Sequence, residues 1–388
     1  MKIKLLLQKY SVTFAVTALL FATGLILLGS KKAPHLGLKS KDFYVESVAT
    51  GLQMPWAVTF LPNGDMLVTE RTGKLRIVKK GQLDPQDIKG LPAIQYRGQG
   101  GLLDVVLHPD YEKNGWIYLS YSSPYAAGEK GAENGSNTAL MRAKLDGYQL
   151  KDVQVLFKAQ PNVRSTPHFG GRIVFDLKGH VFLSLGERGQ MEKSQDLSTH
   201  QGKIVRLKED GSVPADNPFV GQANALPEIW SYGHRNPQGL VFDRRTGKLW
   251  EHEHGPQGGD ELNIVEKAKN YGWPVITYGI NYDNSIISDK THQAGMEQPI
   301  TYWKPSIAPC GMDFITSDVY GDMKGSLLVG SLKFNNLELL KIENNQVVSK
   351  SIVAEKIGRV RDIRQAPDGY LYVVVEDSGQ IFKLLPKK

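Results

Sequence analysis

Beyond residue 55, apolar and polar positions alternate in runs of about five residues, each run broken by a turn and then resumed. The pattern recurs at 57–78, 102–121, 172–187, 239–251, 312–330 and 361–384. Each copy reads apolar strand, Gly- or Asn-containing turn, second apolar strand. Period-2 alternation with β-branched residues predicts strands, and the PNG, PDG and TGK turns predict hairpins. Six such units predict an all-β, six-bladed propeller of four-stranded antiparallel blades. A β-sandwich needs fewer strands, and a helical solenoid needs a helical period that the chain lacks. Spacing between the units is irregular, which places long loops between blades. The longest of these is 270–306.

The first 32 residues differ from all that follows. Lys2, Lys4 and Lys9 precede an uncharged apolar run from Val12 to Leu28, then Gly29, Ser30, Lys31 and Lys32. This predicts an apolar helix that exports the chain, cleaved as a signal peptide or retained as an inner-membrane anchor. The expected division is a leader (1–32), a linker (33–42) and one propeller domain (43–388), with the body in the periplasm.

Charge follows the same division. The net charge is +7, but seven of the 47 Lys and Arg lie in residues 1–41, which hold no acid. The 40 that remain equal the 40 Asp and Glu. A neutral body has no general attraction for nucleic acid. The single cysteine, Cys310, excludes an internal disulfide.

Five glycine-studded polar loops adjoin the repeats: 98–104, 167–172, 233–239, 255–261 and 359–362. Arg359 and Arg361, at i and i+2 of a strand, share a face and repel, with Asp362 near enough to offset them. Together they suit a ligand with several carboxylates. Arg235 and Asn236 lie in a turn shaped by Gly233, Pro237 and Gly239. In 251–261, backbone carbonyls at Gly255 and Pro256 beside Asp260 and Glu261 suit calcium. His252 and His254 keep a zinc reading open. His168 is a candidate proton acceptor. Gln99 and Lys333 complete the set. Taken singly, each motif is compatible with an ordinary polar loop; their common place at blade ends joins them.

The motifs GQGGLLD, HFGGRI, YGHRNPQGL, EHGPQGGDELN, KNYGWP and RVRDI, in that order, resemble those of soluble sugar dehydrogenases that use pyrroloquinoline quinone (PQQ). The bacterial aldose sugar dehydrogenase branch is the nearest in pattern. The resemblance spans about residues 45–385. It implies a six-bladed propeller that oxidises aldoses to lactones and passes electrons to an external acceptor. By matching motifs, His168 is the general base and Arg235 stabilises charge on the quinone oxygen. Gln99, Asn236, Lys333, Arg359 and Arg361 hold the tricarboxylate cofactor. Gly255 and Pro256 bind the active-site calcium, with a second calcium near Glu261 and Tyr271. Pro167 stands where the glucose-oxidising branch has an acid, which implies a more permissive sugar site. Two rival readings are a calcium-dependent propeller lactonase and a non-enzymatic binding propeller.

Overall fold

The computed structural model describes residues 38–387. The apolar leader and the first half of the linker, residues 33–37, lie outside them. Among the described residues, no helix is long and apolar enough to cross a membrane.

Six four-stranded antiparallel sheets form the blades of a propeller. Blade one runs from Pro55 to Leu83, blade two from Leu102 to Lys158, and blade three from Ile173 to Tyr232. Blades four and five run from Pro237 to Trp303 and from Pro309 to Ala354. Blade six takes three strands from 360–386 and its outermost strand, Phe43–Ala49, from the start of the domain. That strand pairs Phe43 with Pro386 and Ala49 with Ile381, closing the ring.

The alternation read from the sequence is what packs the blades. Apolar side chains gather into six clusters, one at each interface between neighbouring blades. Leu67, Leu119 and Met141 pack between blades one and two. Trp250, Phe314 and Val329 pack between four and five. Each fully buried side chain of this size contributes roughly 1.5–3 kcal/mol. Hairpins close on the turns expected: Gly369 (φ 82°) donates to the Ala366 carbonyl, a left-handed conformation that glycine adopts without strain.

The first strands of neighbouring blades touch one another around the axis, where a polar network ties all six blades together. Arg172 donates to Asp362 at 2.7 Å and to the Gln238 carbonyl at 2.8 Å. Arg364 bridges Asp104 (2.7 Å) and Asp362 (3.0 Å). Asp362 also accepts from the Val58 amide, and Asp313 from the Gln365 amide. Buried charges persist only when paired in this way.

Two expectations are corrected here. The insertion at 270–306 does not separate blades. Its residues 270–300 lie inside blade four, between the strands Asp260–Val265 and Thr301–Trp303, and 301–303 are that blade's last strand. A three-residue strand is too short to show alternation, so the segment reads as an interblade loop. Asp362 does not offset Arg359 or Arg361. One residue along a strand reverses the side-chain direction, and Asp362 faces the axial network. The partner of Arg361 is Glu376, through Nε at 2.8 Å.

Candidate functional site

Two kinds of chain segment converge at one end of the ring. Innermost strands begin there and second strands end there. In five blades the innermost strand carries a register shift within its first residues: Pro55/Ala57, Leu102/Val105, Pro237/Gly239, Pro309/Met312 and Val360/Asp362. Such bulges bend a strand and re-aim its side chains, here toward a cavity of about 440 Å³.

Gln99, Asn236, Lys333, Arg359 and Arg361 all line that cavity, with Trp56, Leu103 and Phe169 as its apolar walls. Arg359 donates to the Leu332 carbonyl at 3.0 Å. Among the described residues, neither Arg359 nor Lys333 has a carboxylate within ion-pair distance. Asn236 Oδ1 accepts from the Gly170 amide at 3.2 Å.

His168 belongs to the loop whose next two residues, Phe169 and Gly170, line the cavity. Its backbone sits at φ 56°, and its amide donates to Gln99 Oε1 at 2.8 Å. A Cβ on Gly186 would come within 2.2 Å of the His168 carbonyl oxygen, so only glycine fits beneath it. The ring Nδ1 lies 2.5 Å from Glu187 Oε1. Burial holds the His168 pKa below the ordinary value, Glu187 acts against that, and Arg235 adds to it.

Arg235 is buried beside a second, much smaller cavity shared with Glu253, Gly255, Glu261 and Tyr271. It donates to the carbonyls of His254 (2.9 Å) and Gly255 (3.1 Å) and packs over Trp273. The Pro256 carbonyl accepts from Ser306 at 3.3 Å. Asp260 accepts from the amides of Gly255, Ile307 and Ala308, so it shapes this loop. The Tyr271 hydroxyl donates to the Ile264 carbonyl and its ring stacks on His234 at 4.7 Å.

A group that the sequence reading missed adjoins this cavity. His234, Glu251 and Glu253 are buried, with ligand atoms all within 4.8 Å of one another. Among the described residues, Glu251 Oε2 and His234 Nδ1 have no hydrogen-bond partner. Burial and the Glu253 carboxylate push Glu251 up to about 7. Burial with both neighbouring acids pushes Glu261 well up. Against burial, Glu251 and Glu253 raise the His234 ring to about 9. The pair weighed for zinc falls outside this group. His254 faces the Pro309 carbonyl, and both His252 ring nitrogens are buried without a partner, with burial lowering its pKa to about 3.

The model of the Glucose / Sorbosone dehydrogenase family matches residues 52–383. The chain belongs to that family. It is a family of oxidoreductases. The chain is 43% identical to the aldose sugar dehydrogenase YliI of Escherichia coli strain K12, over 88% of this chain and 93% of that one. The crystal structure of the E. coli soluble aldose sugar dehydrogenase in its apo form superposes with a TM-score of 0.83. It is 40% identical and covers 89% of this chain and 100% of that one. The PQQ-bound aldose sugar dehydrogenase of Streptomyces coelicolor matches with a TM-score of 0.71 at 26% identity, over 90% and 98% of the two chains.

Four of the site's members that the sequence reading overlooked share one position. Arg71, Glu187, Glu253 and Glu376 all lie at or just past the end of a blade's second strand, as Lys333 does. The signal was present as a charged residue ending an otherwise apolar strand in LVTER, LSLGER and VVVED. The first strands drew attention because their loops carry glycine, and the second strands' loops carry less of it.

Proposed function

We propose that the protein oxidises aldose sugars at the anomeric carbon to lactones, using PQQ and calcium. The observation that carries this reading is the arrangement of charge around the ring. Lys333, Arg359 and Arg361 come from blades five and six. His168 comes from the loop leading into blade three, across the axis from blade six, and Arg235 from the loop leading into blade four, beside blade five. An arc of fixed cations suits the carboxylates of a tricarboxylic cofactor, while the opposite side carries the base.

PQQ, when bound, supplies a quinone that accepts hydride. Lys333, Arg359, Arg361, Gln99 and Asn236 would hold it. Trp56, Leu103 and Phe169 give flat apolar walls for its rings. His168 receives the proton of the anomeric hydroxyl. Nδ1 is held by Glu187, which leaves Nε2 as the accepting atom. Glu187 fixes the ring's orientation and stabilises it once protonated. It provides from blade three the acidic support that Pro167 cannot. Arg235, held by the His254 and Gly255 carbonyls, would supply positive charge for the oxygen on which negative charge develops.

Calcium fits the donor set. Gly255 and Pro256 offer hard carbonyl oxygens, and the buried, mutually repelling Glu251, Glu253 and Glu261 call for a cation. Glu261 and Tyr271 adjoin this cluster. The lactonase alternative needs acids and amides open to an ion at the axis; here Arg172 and Arg364 fill that position. The expected sites of action are the periplasm, with the leader as export signal or anchor, and an electron acceptor outside the cytoplasm.

The deciding experiment mixes metal-free protein with PQQ and calcium and follows dye reduction across an aldose panel. Calcium-dependent reduction is the expected result. No reduction with any aldose, under conditions where PQQ binds, would reject sugar oxidation.

A further inference from the structure

We propose that Arg71 is a further cofactor-binding residue, the fourth cation of the arc, and that Glu376 is an internal counter-ion that leaves the cavity with the charge of its ligand. This inference rests on the PQQ reading above and deepens it.

Arg71 follows the second strand of blade one, the position that Lys333 takes in blade five. It lines the same cavity as Lys333, Arg359 and Arg361. Blades five, six and one are consecutive around the ring, so the four cations form one continuous arc. The Arg71 guanidinium is anchored without being neutralised. Nη1 donates to the Gly98 carbonyl, one residue before Gln99. Nη2 lies 3.7 Å from Met54 Sδ, and the group packs over Tyr96 at 5.3 Å. Nε is buried with no hydrogen-bond partner among the described residues. Its nearest carboxylate is Glu376, at 3.9 Å.

Glu376 is committed elsewhere. It accepts from Arg361 through both Nε and Nη2, so it neutralises Arg361 first and Arg71 weakly. Arg71 burial is costly, and Arg359 and Arg361 beside it add repulsion. Such a cluster favours the binding of an anion beside it. Four cations against one acid leave the lining with three net positive charges. That equals the charge of a ligand with three carboxylates; without Arg71 the lining would fall one short.

A purely structural Arg71, pinning the Gly98 loop, is the competing explanation, and a charge-dependent readout separates the two. The full-length protein, loaded with calcium, is titrated with PQQ and with its trimethyl ester at low and high ionic strength. Binding is read by quenching of tryptophan fluorescence, since Trp56 lines the cavity. Arg71→Gln is expected to weaken PQQ binding about ten- to hundredfold at low salt. Arg71→Lys is expected to fall between it and wild type. The loss should shrink at high salt and nearly vanish for the ester, which keeps the rings and lacks the charges. Unchanged PQQ affinity in Arg71→Gln overturns the proposal. So does an equal loss for both ligands at both ionic strengths, which would mark a structural role. A wild-type protein that does not bind PQQ would overturn the cofactor reading itself.

Discussion

His168 Nδ1 and Glu187 Oε1 stand 2.5 Å apart, and the other oxygen of Glu187 accepts the Gln190 amide at 2.5 Å. The carboxylate is therefore fixed at both oxygens and holds the imidazole ring in one orientation. Glu187→Gln is expected to lower kcat at least tenfold while PQQ affinity changes little. The pH profile supplies the sign. Burial holds His168 below its ordinary 6.5 and Glu187 opposes that. The neutral, proton-accepting ring is present above the folded pKa and is lost as pH falls through it. The acid limb of kcat/KM should lie below about 6.5 in wild type. It should move to still lower pH in Glu187→Gln, where the opposing charge is gone. A limb that moves upward would contradict this role.

Replacing the base itself separates chemistry from binding. His168→Gln is expected to lose roughly 10²- to 10⁴-fold in turnover and to bind PQQ within a few-fold of wild type. Parallel steady-state and cofactor titrations make the comparison, and retained turnover would remove His168 from the mechanism.

Arg359 gives the cleanest test of the clamp, because its guanidinium donates to the Leu332 carbonyl rather than to an acid. Arg359→Ala should weaken PQQ affinity about tenfold or more without lowering the thermal midpoint. Unchanged affinity would assign this exposed side chain to the surface.

The acid cluster predicts a metal- and pH-dependent stability. In metal-free protein Glu251 has its pKa raised to about 7. That contribution is complete below the unfolded value of 4.5 and is lost as pH rises through about 7. His234, raised to about 9, contributes below its unfolded 6.5 and loses that contribution through about 9. Both slopes run downward, so the chelated protein should lose stability from about pH 5 to about pH 9. Calcium should restore it. Glu253→Gln should flatten the slope and reduce the calcium-induced rise in Tm. Melting curves at several pH values, with chelator and with calcium, test this.

The axial network predicts a large effect far from the chemistry. Arg172→Ala removes one of the two guanidinium partners of Asp362, leaving Arg364, and the group packed over Trp56 at 4.1 Å. A loss of about 3–5 kcal/mol is expected in denaturant unfolding. Arg172→Met paired with Asp362→Leu should recover part of it, because no buried charge is then orphaned.

The innermost and second strands were legible because each buries one face against a neighbouring blade and alternates accordingly. Outer strands were not. Gln149–Lys158 is largely exposed, and Gln82–Leu83 and Thr301–Trp303 are too short to carry a period. The strand Phe43–Ala49 could not be assigned to blade six, because nothing local says which distant edge it will meet. Within the site, Gln99, Asn236, Lys333, Arg359 and Arg361 stood out as polar groups near glycine turns. Glu187 and Glu376 did not, since an acid ending a strand has no local partner in sequence. Their guanidinium and imidazole partners are supplied only when separate segments fold together.

The seam of blade six has a consequence for synthesis. The edge that receives Phe43–Ala49 is the strand Gln380–Pro386, which is made after every other strand of the propeller. Five blades can assemble as the chain grows, but the circle stays open until that strand has been made. Until then the first strand of the domain has an unpaired edge, and a chain truncated before Gln380 would keep that edge exposed.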